Sequence, residues 1–201
     1  MKKIKTLYKL DPSTHIITNE VIESSIWVLE GLGIATEKFD GTSCLIKNGK
    51  IYRRFDRKTK RKLGKIITKD LTIEDFKDAP EGFIECDRSS MQKGHIMGWV
   101  ECKLGDPQDR WHNEAFENTA SILDDGTYEL VGEKINGNFH NLKGHALWKH
   151  GSKIIDNVPT AFEDIKEFLR TFEGEGIVWH KKDNDNAMVK IRRADFKFNK
   201  L

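Results

Sequence analysis

The chain has 201 residues, 37% of them hydrophobic and 33% charged, which is enough apolar side chain for one domain, or one large domain with a small appendage, under a very polar surface. Lys and Arg (34) nearly balance Asp and Glu (32), and the formal charge of +2 excludes a uniformly basic coat for nucleic acid. Cys44, Cys86 and Cys102 are odd in number and lack CxxC spacing, so they read as free thiols of a reducing compartment and argue against metal binding.

Met1-Lys2-Lys3-Ile4 leads into no long apolar run, which argues for a soluble, cytoplasmic protein with no membrane partner. The expected organisation is a single domain, with residues 1–34 as a packing segment and 35–201 as the core. In the first segment Ile4, Leu7 and Leu10 fit a short strand that stops at Asp11-Pro12. Val21, Ile22, Ile26 and Leu29 have roughly helical spacing, with Thr18-Asn19 as a cap.

Gly31-Leu32-Gly33 then delivers the chain into Ala-Thr-Glu-Lys-Phe-Asp-Gly-Thr, residues 35–42. On an extended backbone Lys38 and Asp40 share a face, and Gly41 permits a sharp turn beneath them. A lysine so placed serves as a covalent nucleophile if its amine is kept deprotonated by nearby cations or desolvation. The plainer alternative is a surface lysine ahead of an Asp-Gly turn.

Thr42–Lys47 and Ile51–Asp56 form a predicted hairpin about Asn48-Gly49, and its second strand is expected to carry Arg53 and Arg54 back beside the strand of Lys38. Eight of the thirteen residues from Arg53 to Lys65 are basic: Arg53, Arg54, Arg57, Lys58, Lys60, Arg61, Lys62 and Lys65. The run is either a solvated loop or a phosphate-binding lip, and its position next to Lys38 favours the lip. An acidic loop or short helix follows through Asp70–Asp87. Phe83–Glu85 and Ile96–Cys102 read as buried strands. Asp109–Asn118 reads as a helix anchored by Trp111 and Phe116.

Thr127–Ile135 alternates as a strand and places Glu133 on the face of Glu129, Val131 and Ile135. There it is either a buried carboxylate needing a partner or ligand, or an exposed edge-strand glutamate. Phe162–Phe172 is an amphipathic helix that ends at Gly174. Glu175-Gly-Ile-Val-Trp-His180 reads as a buried strand led by a carboxylate. Ala187–Arg192 is the last strand, with Lys190 and Arg192 on one face.

Taken in order, Lys38-x-Asp40-Gly41, Arg54, Glu133, Glu175-Gly176-x-Val178 and Lys190-x-Arg192 resemble the covalent nucleotidyltransferases, the polynucleotide ligases and messenger-RNA capping enzymes. Within that superfamily, Ala-Thr-Glu-Lys-Phe-Asp-Gly-Thr, Tyr-Arg-Arg-Phe-Asp-Arg-Lys, Val-Gly-Glu-Lys-Ile-Asn-Gly-Asn and Glu-Gly-Ile-Val-Trp-His resemble a small ATP-dependent 5′-to-3′ RNA ligase family. The resemblance implies an α+β fold, an adenylyltransferase (ATP-grasp-like nucleotidyltransferase) core of antiparallel sheets with flanking helices. It implies ATP and Mg²⁺ as cofactors, with Mn²⁺ as an alternative ion, and as partner an RNA with 5′-phosphate and 3′-hydroxyl ends.

The same resemblance makes Lys38 the residue that takes AMP, with Asp40 positioning it. Glu37 would lie by the adenine, and Arg54 and Glu133 by the ribose and phosphates. Glu175 would bind Mg²⁺, Val178 would pack on the adenine, and Lys190 and Arg192 would contact the α-phosphate; Trp148 is a candidate for the adenine's other face. Capping enzymes and most DNA ligases of the superfamily orient pyrophosphate with a C-terminal oligonucleotide-binding barrel, for which the nine residues after Arg192 leave no room, so the basic run is expected either to take that task or to grip the RNA. The alternatives are a minimal DNA ligase or guanylyltransferase of the same fold, or a non-catalytic nucleic-acid binder.

Overall fold

The computed structural model describes residues 2–60, 70–119 and 123–198. Arg61, Lys62 and Lys65 of the basic run lie outside the described residues. In chain order the strands are β1 (Lys5–Thr6), β2 (Tyr8–Leu10), β3 (Ile17–Val21), β4 (Gly33–Lys38), β5 (Thr42–Lys47), β6 (Lys50–Lys58), β7 (Ile84–Asp87), β8 (His95–Glu101), β9 (Gly126–Gly132), β10 (His145–Lys149), β11 (Gly176–Lys181) and β12 (Asn184–Arg192). The helices are α1 (Arg110–Thr119) and α2 (Phe162–Thr171). Sheets and helices are segregated, as α+β predicts. No helix among the described residues is long and apolar enough to cross a membrane.

Two compact units emerge. One consists of Gly41–Lys149 with the N-terminal tip up to Lys3, built on a six-stranded sheet in the order β10-β9-β5-β6-β8-β7. Asn48 and Gly49 turn the β5–β6 hairpin with φ of 51° and 69°, the left-handed pair that suits the twist of the flanking strands. Asp106 caps the 3₁₀ turn Pro107–Asp109 that leads into α1 by accepting the Gln108 amide at 3.0 Å, and Pro107 stands at the first position, where an amide would have no helical partner. Ala115 of α1 packs on Cys44, Ile46, Tyr128, Leu130 and Leu147 from the sheet. Trp111 and Phe116, the predicted anchors, only flank that cluster; His112 and Ala115 are the buried residues of the helix.

The other unit consists of Ile4–Asp40 and the chain from His150 onward. Its sheet runs β1-β12-β11-β4, and β1 lies parallel to β12, a departure from the all-antiparallel expectation. One face of this sheet carries Ala35, Ile177, Trp179, Val189 and Ile191 into a core completed by Leu7, Tyr8 and Trp27 and by Ile165 and Leu169 of α2. Ile165 and Leu169 are four apart and therefore share a helix face; Glu163 and Asp164 in the first turn and Arg170 in the last complement the helix dipole.

Three expectations fail locally. Thr18-Asn19 does not cap a helix, because Ile17–Val21 pairs as β3 with β2 and the helix that follows, Glu23–Val28, is 3₁₀. In it Ser25, Trp27 and Val28 turn inward while Ile26 and Leu29 are exposed, so three-residue winding replaces the predicted 3.6-residue stripe. The strand of Arg53 and Arg54 does not pair with that of Lys38: β6 pairs with β5 and β8, whereas β4 pairs with β11 in a different sheet.

Candidate active site

β11 lies between β4 and β12, and its register sets out the site. Gly176 faces Lys38 on one side and Arg192 on the other; two residues on, Val178 faces Thr36 and Lys190. Directly opposed residues of antiparallel strands project from the same face. Lys38, Thr36, Val178, Lys190 and Arg192 therefore share the face opposite the core. Gly176 puts no side chain between Lys38 and Arg192. A Cβ at this position would run into the Ile191 carbonyl and the Arg192 Cα, so the close approach of β11 and β12 demands glycine.

Lys38 ends β4, and its Nζ forms an ion pair with Glu175 Oε2 and lies 3.3 Å from the Phe39 carbonyl oxygen. Each side chain of the pair is 21% exposed, so both remain reachable. Lys190 is half-buried. Burial pulls its ammonium below the ordinary lysine range, and the charges of Arg192 and Lys38 add to the effect, against Asp195 and Glu175. Arg192 is held in its charged form, chiefly by its bonds to Asp195. Its Nε and Nη2 reach Asp195 Oδ1 at 3.0 and 2.6 Å, and its amide donates to Oδ2 at 2.8 Å. Asp195 is 1% exposed. It thus fixes the guanidinium from beneath, a role that sequence reading missed although Asp195 stands at i+3 from Arg192.

Asp40 lies beyond the end of β4, in irregular backbone, so the period-two argument that paired it with Lys38 does not apply. Gly41 has no left-handed φ. It is glycine because a Cβ there would collide with the Leu130 carbonyl. Glu37 falls on the core side of the sheet, the reverse of Lys38's face. It is 8% exposed, and Lys153 Nζ pairs with its carboxylate while the Lys153 carbonyl accepts the Glu37 amide at 2.9 Å. Lys153, which sequence reading also missed, comes from a segment that covers the free edge of β4, with Ile154 bridging Thr36.

Arg54 and Glu133 belong to the six-stranded unit. Arg54 lies over the Trp99 ring at 4.8 Å and donates to Cys86 Sγ at 3.1 Å. Of the two readings of Glu133 the exposed one holds, although the strand is shorter than expected: β9 ends at Gly132, whose φ of 150° breaks the alternation, and Glu133 follows exposed, its amide donating to the Gly144 carbonyl. The buried carboxylate of this strand is Glu129. Trp148, on β10, packs with its ring 4.7 Å from that of His140.

The sheet face thus gathers a strand-borne lysine paired with a glutamate, a second lysine whose ammonium is depressed and an arginine clamped by a buried aspartate. No protein-family model matches the chain. It is 28% identical to RNA ligase 1 of Mus musculus over 90% of its own length and 71% of that protein's, and the same figures hold for RNA ligase 1 of Rattus norvegicus. Over most of its length the chain is thus similar to proteins named RNA ligase 1. Similar solved structures include two mutants of a Naegleria gruberi RNA ligase. One is ligand-free (TM-score 0.46, 15% identity, 95% of this chain), and one is with AMP and Mn (TM-score 0.44, 15% identity, 96% of this chain). This chain spans 59% and 60% of their lengths.

Proposed function

We propose that the chain is an ATP-dependent RNA ligase that joins RNA 5′-phosphate and 3′-hydroxyl ends through AMP carried on Lys38. The observation that carries this reading is the shared face of Lys38, Lys190 and Arg192 about a side-chain-free Gly176, in a chain related to RNA ligase 1. In the first step the Lys38 amine, freed from Glu175 and relieved of its proton, attacks the α-phosphorus of ATP. A P–N bond forms as the bond to the pyrophosphate oxygen breaks. Lys190 and Arg192 stabilise the charge on the α-phosphoryl oxygens, and Asp195 keeps Arg192 in position. In the second step an oxygen of the RNA 5′-phosphate attacks the same phosphorus, and the lysine leaves and regains its proton. In the third the 3′-hydroxyl attacks the activated 5′-phosphate and AMP departs.

Glu175, a partly exposed carboxylate already facing a cation, fits as one oxygen ligand of Mg²⁺, or of Mn²⁺ in its place. Such an ion neutralises charge on the phosphates when bound. Val178 offers its buried apolar side chain to the adenine. Asp40, Glu37, Arg54 and Glu133 enter the proposal on the resemblance alone, whereas the cytoplasmic location and the single-domain reading rest on the sequence composition. The test is incubation of the protein with Mg²⁺ and ATP or GTP labelled on the α-phosphate, then a panel of 5′-phosphorylated RNA and DNA strands. Covalent label from ATP and sealing of RNA support the reading. Label from GTP points to a guanylyltransferase, preferential sealing of DNA to a DNA ligase, and no label to a nucleic-acid binder.

A further inference from the structure

Three ligand-type side chains converge inside the six-stranded unit, none of them assigned to nucleotide chemistry above. Cys102 follows β8, Asp109 closes the 3₁₀ turn Pro107–Asp109, and His112 lies in the first turn of α1. Asp109 and His112 are three apart, the spacing at which helical side chains are neighbours. The fold brings Cys102 Sγ, a carboxylate oxygen of Asp109 and a ring nitrogen of His112 within 4.8 Å of one another.

Asp109 and His112 are buried, and three of their polar atoms lack a hydrogen-bond partner. His112 is 8% exposed and neither of its ring nitrogens has a hydrogen-bond partner; Asp109 Oδ1 has none either. Arg53 Nε stands 2.8 Å from that oxygen, an ion pair by distance but not aligned as a hydrogen bond, and Asp109 Oδ2 is occupied by the Lys103 amide at 2.9 Å. Buried polar atoms without partners are uncommon and point to an ion or a water.

We propose that Cys102, Asp109 and His112 form a binding site for a zinc-class divalent ion, with a fourth position open to water on the half-buried Cys102 side. Sulfur, nitrogen and oxygen donors together suit a borderline ion, whereas Mg²⁺ and Ca²⁺ select oxygen alone. Neighbouring ligand atoms around tetrahedral zinc lie about 3.3–3.8 Å apart, so a closure of about 1 Å completes the set. A metal–sulfur bond forms as the Cys102 S–H bond breaks, and the proton passes to the buffer; no electron is transferred. Arg53 stays against Asp109 as an orienting partner. The ion ties the exit of β8 to the start of α1, a structural role.

The test is a titration of the whole chain, stripped of metal, with Co²⁺ and then Zn²⁺. One equivalent of Co²⁺ is expected to give thiolate-to-cobalt absorption and the visible bands of a tetrahedral ion, both displaced by Zn²⁺. Cys102→Ser abolishes the thiolate band, and His112→Gln weakens binding at least about tenfold. In the unaltered protein Zn²⁺, and not Mg²⁺, protects Cys102 from alkylation while Cys86 reacts as before. The proposal is overturned by an absent thiolate band, by a band unchanged in Cys102→Ser, or by Cys102 alkylation at one rate with and without Zn²⁺. His112 is then a buried histidine served by water.

Discussion

Replacing Lys190 by methionine separates what this lysine costs the fold from what it gives the chemistry. Burial, Arg192 and Lys38 depress its ammonium, with Asp195 and Glu175 only partly offsetting them. A lysine depressed in the folded state binds fewer protons folded than unfolded. It therefore lowers stability at every pH below its folded value, and this cost fades as pH rises towards the ordinary 10.5. Lys190→Met keeps the apolar stem and deletes the charge, so the melting midpoint at pH 7 rises and its alkaline increase flattens. Self-adenylation, in contrast, loses one of two cations on the α-phosphate and slows by about a hundredfold or more. The neighbour Ile191 provides the control. It is wholly buried in the core of its unit, and Ile191→Ala costs about 2–5 kcal/mol, or a midpoint lower by about 4–20 °C, with adenylation retained in the folded fraction. The assays are thermal melts across pH and the rate of covalent AMP transfer. The reasoning is refuted if Lys190→Met is destabilising and fully active while folded Ile191→Ala is inactive, for then the strand presents its other face to the nucleotide.

Asp195→Asn keeps the shape beneath Arg192 and removes the charge; the ATP concentration for half-maximal adenylation is expected to rise about tenfold or more, and an unchanged ATP dependence with only a lower midpoint would leave Asp195 a purely structural residue. Gly41→Ala is expected to cost about 1–3 kcal/mol in chemical denaturation, since its new methyl meets the backbone carbonyl of Leu130, which cannot swing aside. A midpoint equal to that of the unaltered protein contradicts this.

Local signals were legible where one interaction decides the structure. Asn48-Gly49 could be read because both residues take left-handed φ, and Ile165 and Leu169 because the helix has one dry side. The alternation of Lys190, Ile191 and Arg192 survived because Ile191 turns into the apolar core while Lys190 and Arg192 stay partly exposed on the other face. β9 was misread for the opposite reason: Tyr128 to Gly132 are all buried, so alternation carries no information there, and the strand stops one residue before Glu133. The pairing of β4 with β11, the parallel β1, the Lys153–Glu37 pair and the Cys102–Asp109–His112 cluster arise from segments far apart in sequence or from a turn whose direction no spacing rule encodes. Cysteine spacing argued against metal binding because it registers paired cysteines, not a single cysteine followed at seven and ten residues by an aspartate and a histidine.

The central claim is that Lys38 carries AMP. The most direct measurement is peptide mapping by mass spectrometry after incubation with ATP and Mg²⁺, beside ligation assays of Lys38→Ala. The account predicts a single acid-labile AMP adduct on Lys38. It also predicts that Lys38→Ala neither takes label nor seals 5′-phosphate RNA, yet still seals some RNA supplied with its 5′ end already adenylylated. An adduct on another residue, or equal loss on both RNA substrates in folded Lys38→Ala, would contradict it.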